Sequence, residues 1–174
     1  MVPIGIQMEY LAYVTEQSEN GGFTGSVKTL QTNQLPAGEV LIKVHYSGIN
    51  FKDALSASGN KAVTRNFPHT PGIDAVGSVV STTDNSFGEG DRVLVIGYDL
   101  GMNTSGGFGG YIQVPSKWVM NVPKGMSDQQ AMCWGTAGFT SALCVEKLIQ
   151  AGVTKESGPV VVTGGTGGVG SIAI

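Results

Sequence analysis

The sequence predicts a mainly β fold that runs into the start of an α/β unit. Three observations predict it. In EVLIKVHYSGIN (39–50), Val40, Ile42, Val44 and Tyr46 alternate with Lys43 and His45, the period of a half-buried strand. After Ser127 the apolar spacing becomes helical. The apolar run VVVT (160–163) then opens into the glycine cluster TGGTGGVGS (163–171), the composition of a strand-to-helix turn.

Each element follows in chain order. MEYLAYV, from Met8, reads as a strand, with residues 1–7 as an extension. MVPIGIQ has neither a basic region nor a long apolar stretch, so it does not read as a signal peptide. FKDALSASG (51–59) reads as a short helix capped by Asn50, with Asp53 in its first turn favouring the helix N-terminus. IDAVGSVVS (73–81) and DRVLVIG (91–97) read as strands, turned by TTDNSFGEG. GGFGGYIQVPSKWVMNVP (106–123) reads as a glycine loop and two short strands around a break at Pro115. Short strands with turns between them suit a barrel or a sandwich.

A domain boundary is expected near residue 125. Ser127 and Gln130 form a capping-box pattern. Gly135 is placed to break or bend the helix, and Thr136 to start a second one. That second helix carries Leu143, Leu148 and Ile149 and stops near Gly152. VVVT is expected to be a buried strand.

At 174 residues the chain has room for one domain, or one domain and a fragment. A net charge of −3 gives no basic field for nucleic acid, and no apolar run is long enough to span a membrane. Charged residues are 13% of the chain, against roughly 25% usually. Another chain, or residues beyond this sequence, is therefore expected to cover part of the surface. Cys133 and Cys144 read as reduced core cysteines of a cytoplasmic protein. His45 reads as a surface or hydrogen-bonded histidine, His69 as a structural one. These four residues have no C-x-x-C or H-x-x-x-H spacing, so no metal site is expected.

The glycine cluster matches several patterns. Gly165, Gly167 and Gly170 give G-x-G-x-x-G, which lets backbone approach a pyrophosphate and a helix pack close to its strand. A phosphate loop of the NTPase type needs a lysine after its last glycine, where this chain has Ser171 and Ile172. The T-G-x-x-x-G-x-G loop of short-chain dehydrogenases, through Thr163, Gly164, Gly168 and Gly170, normally opens a chain rather than following a long β-rich region.

SGINFKDALSASGN, RNFPHTPGIDAVGSVVS, GDRVLVIGYDLG, GGFGGYIQVPSKWV, GTAGFTSALCVEKL and VVVTGGTGGVGSIAI together resemble the medium-chain dehydrogenases/reductases. Within them they resemble the quinone oxidoreductase-like branch and its acrylyl-CoA reductase subgroup. The resemblance implies a GroES-like, partly open β-barrel over 8–125. Linker helices and the first βα unit of a Rossmann fold would follow over 126–174, truncated before most of that domain. It implies a reaction in which NADPH delivers hydride to a carbon–carbon double bond conjugated to a carbonyl, as in acrylyl-CoA, a related enoyl thioester, an enone or a quinone. The truncated chain alone is expected to be inactive. Zinc-dependent relatives carry Cys and G-H-E where this chain has GINFKD and PGIDAVG, so no zinc is expected. A homodimer is the expected assembly. The alternative is a GroES-like barrel that binds a partner without catalysis.

The resemblance also assigns candidate residues, each with a plainer role beside it. Asn50 is a helix cap and a residue near the nicotinamide and substrate. Asp53 supports the helix start or sits by the active site. Phe51 stands where the subgroup often has tyrosine; it can pack on the cofactor but cannot donate a proton. Lys52 reads as solvated. Arg65 reads as a solvated arginine or a contact for a CoA phosphate. Thr136 and Thr140 flank the helix bend on the nicotinamide side. Gly165, Thr166, Gly167, Gly168, Val169 and Gly170 form the cofactor loop.

Overall fold

A computed structural model describes residues 7–174. The extension read over 1–7 therefore lies almost wholly outside the described residues. Among the described residues, seven strands and three α-helices follow one another: β1 (Glu9–Gln17), β2 (Phe23–Gln31), β3 (Val40–Tyr46), α1 (Phe51–Ala57), β4 (Asp74–Thr82), β5 (Arg92–Ile96), β6 (Tyr111–Val114), β7 (Val119–Asn121), α2 (Asp128–Gln150) and α3 (Gly168–Ala173).

β1 and β2 form an antiparallel hairpin, and the other five strands form an antiparallel sheet in the order β6-β3-β4-β5-β7. Backbone bonds from β1 to Phe108, Gly110 and His69 stitch the hairpin to the loops beside the sheet. The two sheets make an open β fold; among the described residues no hydrogen-bonded closure joins them into a ring. The main core lies on one face of the five-stranded sheet, from Val40, Ile42, Val79, Val93, Val95, Ile112 and Val114. Each such aliphatic side chain, fully buried, contributes about 1.5–3 kcal/mol. The opposite face of β4 and β5 meets α2 through Val76, Leu94 and Ala131.

Strand alternation in β3 holds for Val40 and Ile42 and fails at Tyr46, which is half exposed. A register shift against β4 between Val44 and Tyr46 is the reason, because a bulge moves later side chains off their face. The capping box at Ser127 forms in both directions, with Ser127 Oγ and Gln130 Oε1 each accepting the other's N–H. Gly135 kinks α2, with φ 45° and ψ −152° inside an otherwise continuous helix.

Two expectations fail at the C-terminal end. Val160 and Val161 are exposed, and VVVT forms no strand. A β-strand exists only through hydrogen bonds to a neighbour, and no described strand lies beside this one. Cys133 and Cys144 are free but exposed, not core residues. They sit on α2, which also exposes Leu143, Leu148 and Ile149; its contacts with the sheet core come from Ala131 and Met132 near its start.

His45 is hydrogen-bonded at the surface, Nδ1 to Asp128 Oδ2 at 2.7 Å and Nε2 to Ser78 Oγ at 3.2 Å. Arg92 Nε donates to Asp128 Oδ1 at 2.9 Å, and Nη2 donates to the Met126 carbonyl. Asp128 thereby fastens α2 to β3 and β5. Burial raises the pKa of its carboxyl, but the bonds from His45 and Arg92 outweigh this and hold it below the usual carboxylate range. A lowered folded-state pKa contributes stability above the unfolded value of about 4, lost as pH falls through the folded value. Acid titration of the folded fraction is therefore expected to show a shallower low-pH loss in Asp128→Asn than in the native chain.

Candidate active site

The loop from β3 to α1 carries Asn50, and its cap runs mainly in reverse. Asp53 Oδ2 accepts the Asn50 N–H at 2.7 Å. Asp53 is only 1% exposed, and its other oxygen accepts the Ile73 N–H at 2.9 Å. Burial pushes its pKa up and the nearby Asp74 adds to this, against the lowering effect of the backbone N–H donors. Asp53 thus ties the start of α1 to the chain entering β4. Phe51, one residue past the cap, is 80% exposed, and Lys52 is exposed beside the Met102 sulfur.

The Asn50 side chain points elsewhere. Its Nδ2 donates to Asp74 Oδ2 at 2.8 Å. The same oxygen accepts the Thr136 N–H at 2.8 Å, and Asp74 Oδ1 accepts the Thr136 hydroxyl at 2.5 Å. Asp74 is 1% exposed. All three partners are donors, which suits the acceptor-only carboxylate. One side chain therefore joins the first residue of β4, the cap of α1 and the kink of α2.

The kink makes this approach possible. A Cβ on Gly135 would stand 2.6 Å from Asp74 Oδ2, and its backbone angles belong to glycine alone. The sequence reading did not single out Asp74. The signal was present in PGIDAVG: an ionisable residue in a strand whose first four residues are all buried, where a charge persists only with partners.

Thr136 and Thr140 come together on one cleft of about 490 Å³, walled by Ile96, Tyr98, Met120 and Phe139. The Thr140 hydroxyl donates to the Thr136 carbonyl at 2.8 Å. Arg65 is not brought to this cleft; it is exposed, with its backbone N–H on Asn103 Oδ1. The glycine loop borders a separate hollow with Val160, Val161, Cys144 and Leu148. The two are linked through α2: a Cβ on Gly168 would lie 3.3 Å from that of Ala137, the neighbour of Thr136. Among the described residues, no three His, Cys, Asp or Glu side chains converge as a metal ligand set. His69 is buried, with its ring nearly perpendicular to that of Phe67 and its backbone paired with Thr15. Burial pushes its pKa down.

The alcohol dehydrogenase GroES-like domain matches residues 36–124, which contain Asn50, Asp53 and Asp74. The chain belongs to that family. The matched residues end just before α2, so the kink and the glycine loop lie outside the match. The acrylyl-CoA reductase AcuI of Ruegeria pomeroyi is 41% identical over 163 residues, covering 93% of this chain and 49% of that protein. A yhdH oxidoreductase from Salmonella enterica, solved in complex with NADP, superposes with a TM-score of 0.90 at 44% identity, over 95% of this chain and 50% of that one. The Bacillus subtilis protein yhfP, solved with NAD bound, gives a TM-score of 0.91 at 45% identity, over 95% and 50%. The chain thus spans about half the length of the curated relatives it matches.

Proposed function

We propose that the chain is the substrate-facing half of an oxidoreductase that uses NADPH to reduce a carbon–carbon double bond conjugated to a carbonyl. In this reading, 8–125 is the catalytic domain and 126–174 starts the nucleotide-binding domain. When bound, the reduced nicotinamide supplies hydride to the β-carbon of the acceptor. The observation that carries the reading is the Asn50–Asp74–Thr136 junction, beside a cleft on one side and a glycine loop on the other.

The chain's own residues bind and orient. Asp53 and Asp74 are positioning residues: each is buried and spends its oxygens on the backbone or side chains of the junction. Asn50 and Thr136 are held at fixed places by that junction, and Thr140 extends the wall. Phe51 offers an exposed ring for packing on the cofactor. The stretch from Gly165 through Thr166, Gly167, Gly168 and Val169 to Gly170 fits a pyrophosphate. It turns tightly, with the Gly167 N–H on the Gly164 carbonyl at 2.9 Å, and glycines in such a loop let backbone approach a phosphate. A side chain at Gly170 would run into the Gly164 carbonyl. Arg65 would meet the phosphates of a CoA thioester from the α1–β4 loop.

Two preparations test this: the 174 residues alone, and the same residues joined to the second half of the Bacillus subtilis relative. Loss of nicotinamide absorbance with acrylyl-CoA or a quinone is expected from the joined protein and not from the chain alone. Gly170→Ala in the joined protein is expected to weaken NADPH binding by about tenfold or more. A joined protein that folds cooperatively and oxidises no NADPH would sink the reductase reading and favour a binding module.

A further inference from the structure

The loop between β1 and β2, residues 18–22, holds the chain's one asparagine followed by glycine, Asn20–Gly21. All five residues are exposed. A Cβ on Gly21 would meet no atom within 4 Å apart from its chain neighbours. The Asn20 side chain is nonetheless held. Its Oδ1 accepts the Ser18 hydroxyl at 2.6 Å and the Gly22 N–H at 3.2 Å. A side chain that bonds the N–H two residues on curls back over the intervening peptide, which brings Cγ of Asn20 over the Gly21 nitrogen. Glycine has no Cβ to obstruct that approach. Both donors end on the oxygen where negative charge would gather if the nitrogen attacked Cγ, the arrangement that stabilises a tetrahedral intermediate. The Gly21 N–H donates to the Ser18 carbonyl at 2.9 Å. That bond has to open first, and at an exposed loop tip opening costs little. None of these residues lines the cleft of Thr136 and Thr140.

We propose that Asn20–Gly21 is a self-modification site, where the fold promotes conversion of the asparagine to aspartate and isoaspartate. The Gly21 amide gives its proton to hydroxide, and its nitrogen attacks Asn20 Cγ. A C–N bond forms, Oδ1 takes the charge, and the Cγ–Nδ2 bond then breaks. Ammonia leaves with a proton from water, and a cyclic succinimide remains. Water opens that ring, at the side-chain carbonyl to give aspartate or at the backbone carbonyl to give isoaspartate. Nothing is oxidised or reduced. Either product puts a carboxylate beside Glu19, and isoaspartate lengthens the loop backbone by a methylene. The hairpin end that receives this change is tied to the rest of the domain. Gln17 Oε1 accepts from Lys61 Nζ at 3.2 Å, and the Phe23 ring packs on that of Phe67 with 4.8 Å between centroids.

The 174-residue chain and the joined protein are incubated in mildly alkaline buffer. Peptide mass spectrometry follows Asn20, with fragmentation that separates the two products, and circular dichroism checks that each protein is folded. Exposed Asn85, which precedes Ser86, is the internal reference. In the folded proteins Asn20 is expected to convert about tenfold or more faster than Asn85. It is also expected to convert about threefold or more faster than in the same chains unfolded in urea. Ser18→Ala keeps the backbone carbonyl and removes the hydroxyl donor. Its conversion is expected to be about fivefold slower, the worth of one hydrogen bond, and Ser18→Thr is expected to retain the native rate. Conversion no faster in the folded proteins than in urea would overturn the proposal, as would an unchanged rate in Ser18→Ala. Folded proteins that keep Asn20 intact while Asn85 converts would do the same. A joined protein that converts at Asn20 and oxidises no NADPH would remove the reductase reading and leave this site in place.

Discussion

Asp74→Ala is expected to cost about 4 kcal/mol of folding free energy, from three donors that lose an acceptor worth roughly 1.5–3 kcal/mol each before non-additivity. Asn50 Nδ2, the Thr136 N–H and the Thr136 hydroxyl all end on this one carboxyl, and Asp74 is 1% exposed, so water cannot readily replace it. With total stabilities of about 5–15 kcal/mol, the variant would be close to its folding limit. Its unfolding midpoint should fall by about 10 °C. Asp74→Asn separates charge from shape. The amide keeps one acceptor, and the Thr136 hydroxyl can turn to accept from its NH2, so a loss of about half is expected. Thermal and urea unfolding of the three chains measure this. A cost within about 1 kcal/mol for Asp74→Ala would mean that α1 and the α2 kink are held by something other than this junction.

Gly135→Ala is expected to be as damaging, by about 4 kcal/mol, through two separable effects. The first is backbone: φ 45° with ψ −152° is open only to glycine. The second is steric: the new Cβ would stand 2.6 Å from Asp74 Oδ2, an oxygen that cannot retreat without dropping Asn50 and Thr136. A double-mutant cycle with Asp74→Ala isolates the second effect. Once the carboxyl is gone the clash is gone, so the double variant should cost less than the sum by about 1–3 kcal/mol. Strict additivity would show that the kink and the carboxyl are independent. Straightening of α2 in Gly135→Ala would also withdraw the Thr136 side chain from the cleft it shares with Thr140.

The sequence reading located strands β3 to β7, the helix after Asn50, the Ser127 cap and the Gly135 break. Those signals are local: a period of two, a cap three residues from its partner, a glycine at a bend. It did not describe β2, whose residues are mostly exposed and so carry little alternation. Among the candidate site residues, Thr136 and Thr140 share a cleft, Asn50 reaches Thr136 through Asp74, and Arg65 stands apart.

By itself the sequence determined a β-rich chain, its turns and caps, and a glycine-rich turn of G-x-G-x-x-G spacing, because each depends on neighbours a few positions away. Only the tertiary structure decided which groups meet. Asp74 bonds to residues 24 and 62 positions distant, and no local pattern encodes such a partner. The same reason explains VVVT. Its β-branched residues favour a strand, but the hydrogen bonds of a strand belong to a neighbour, and among the described residues the sheet provides none there.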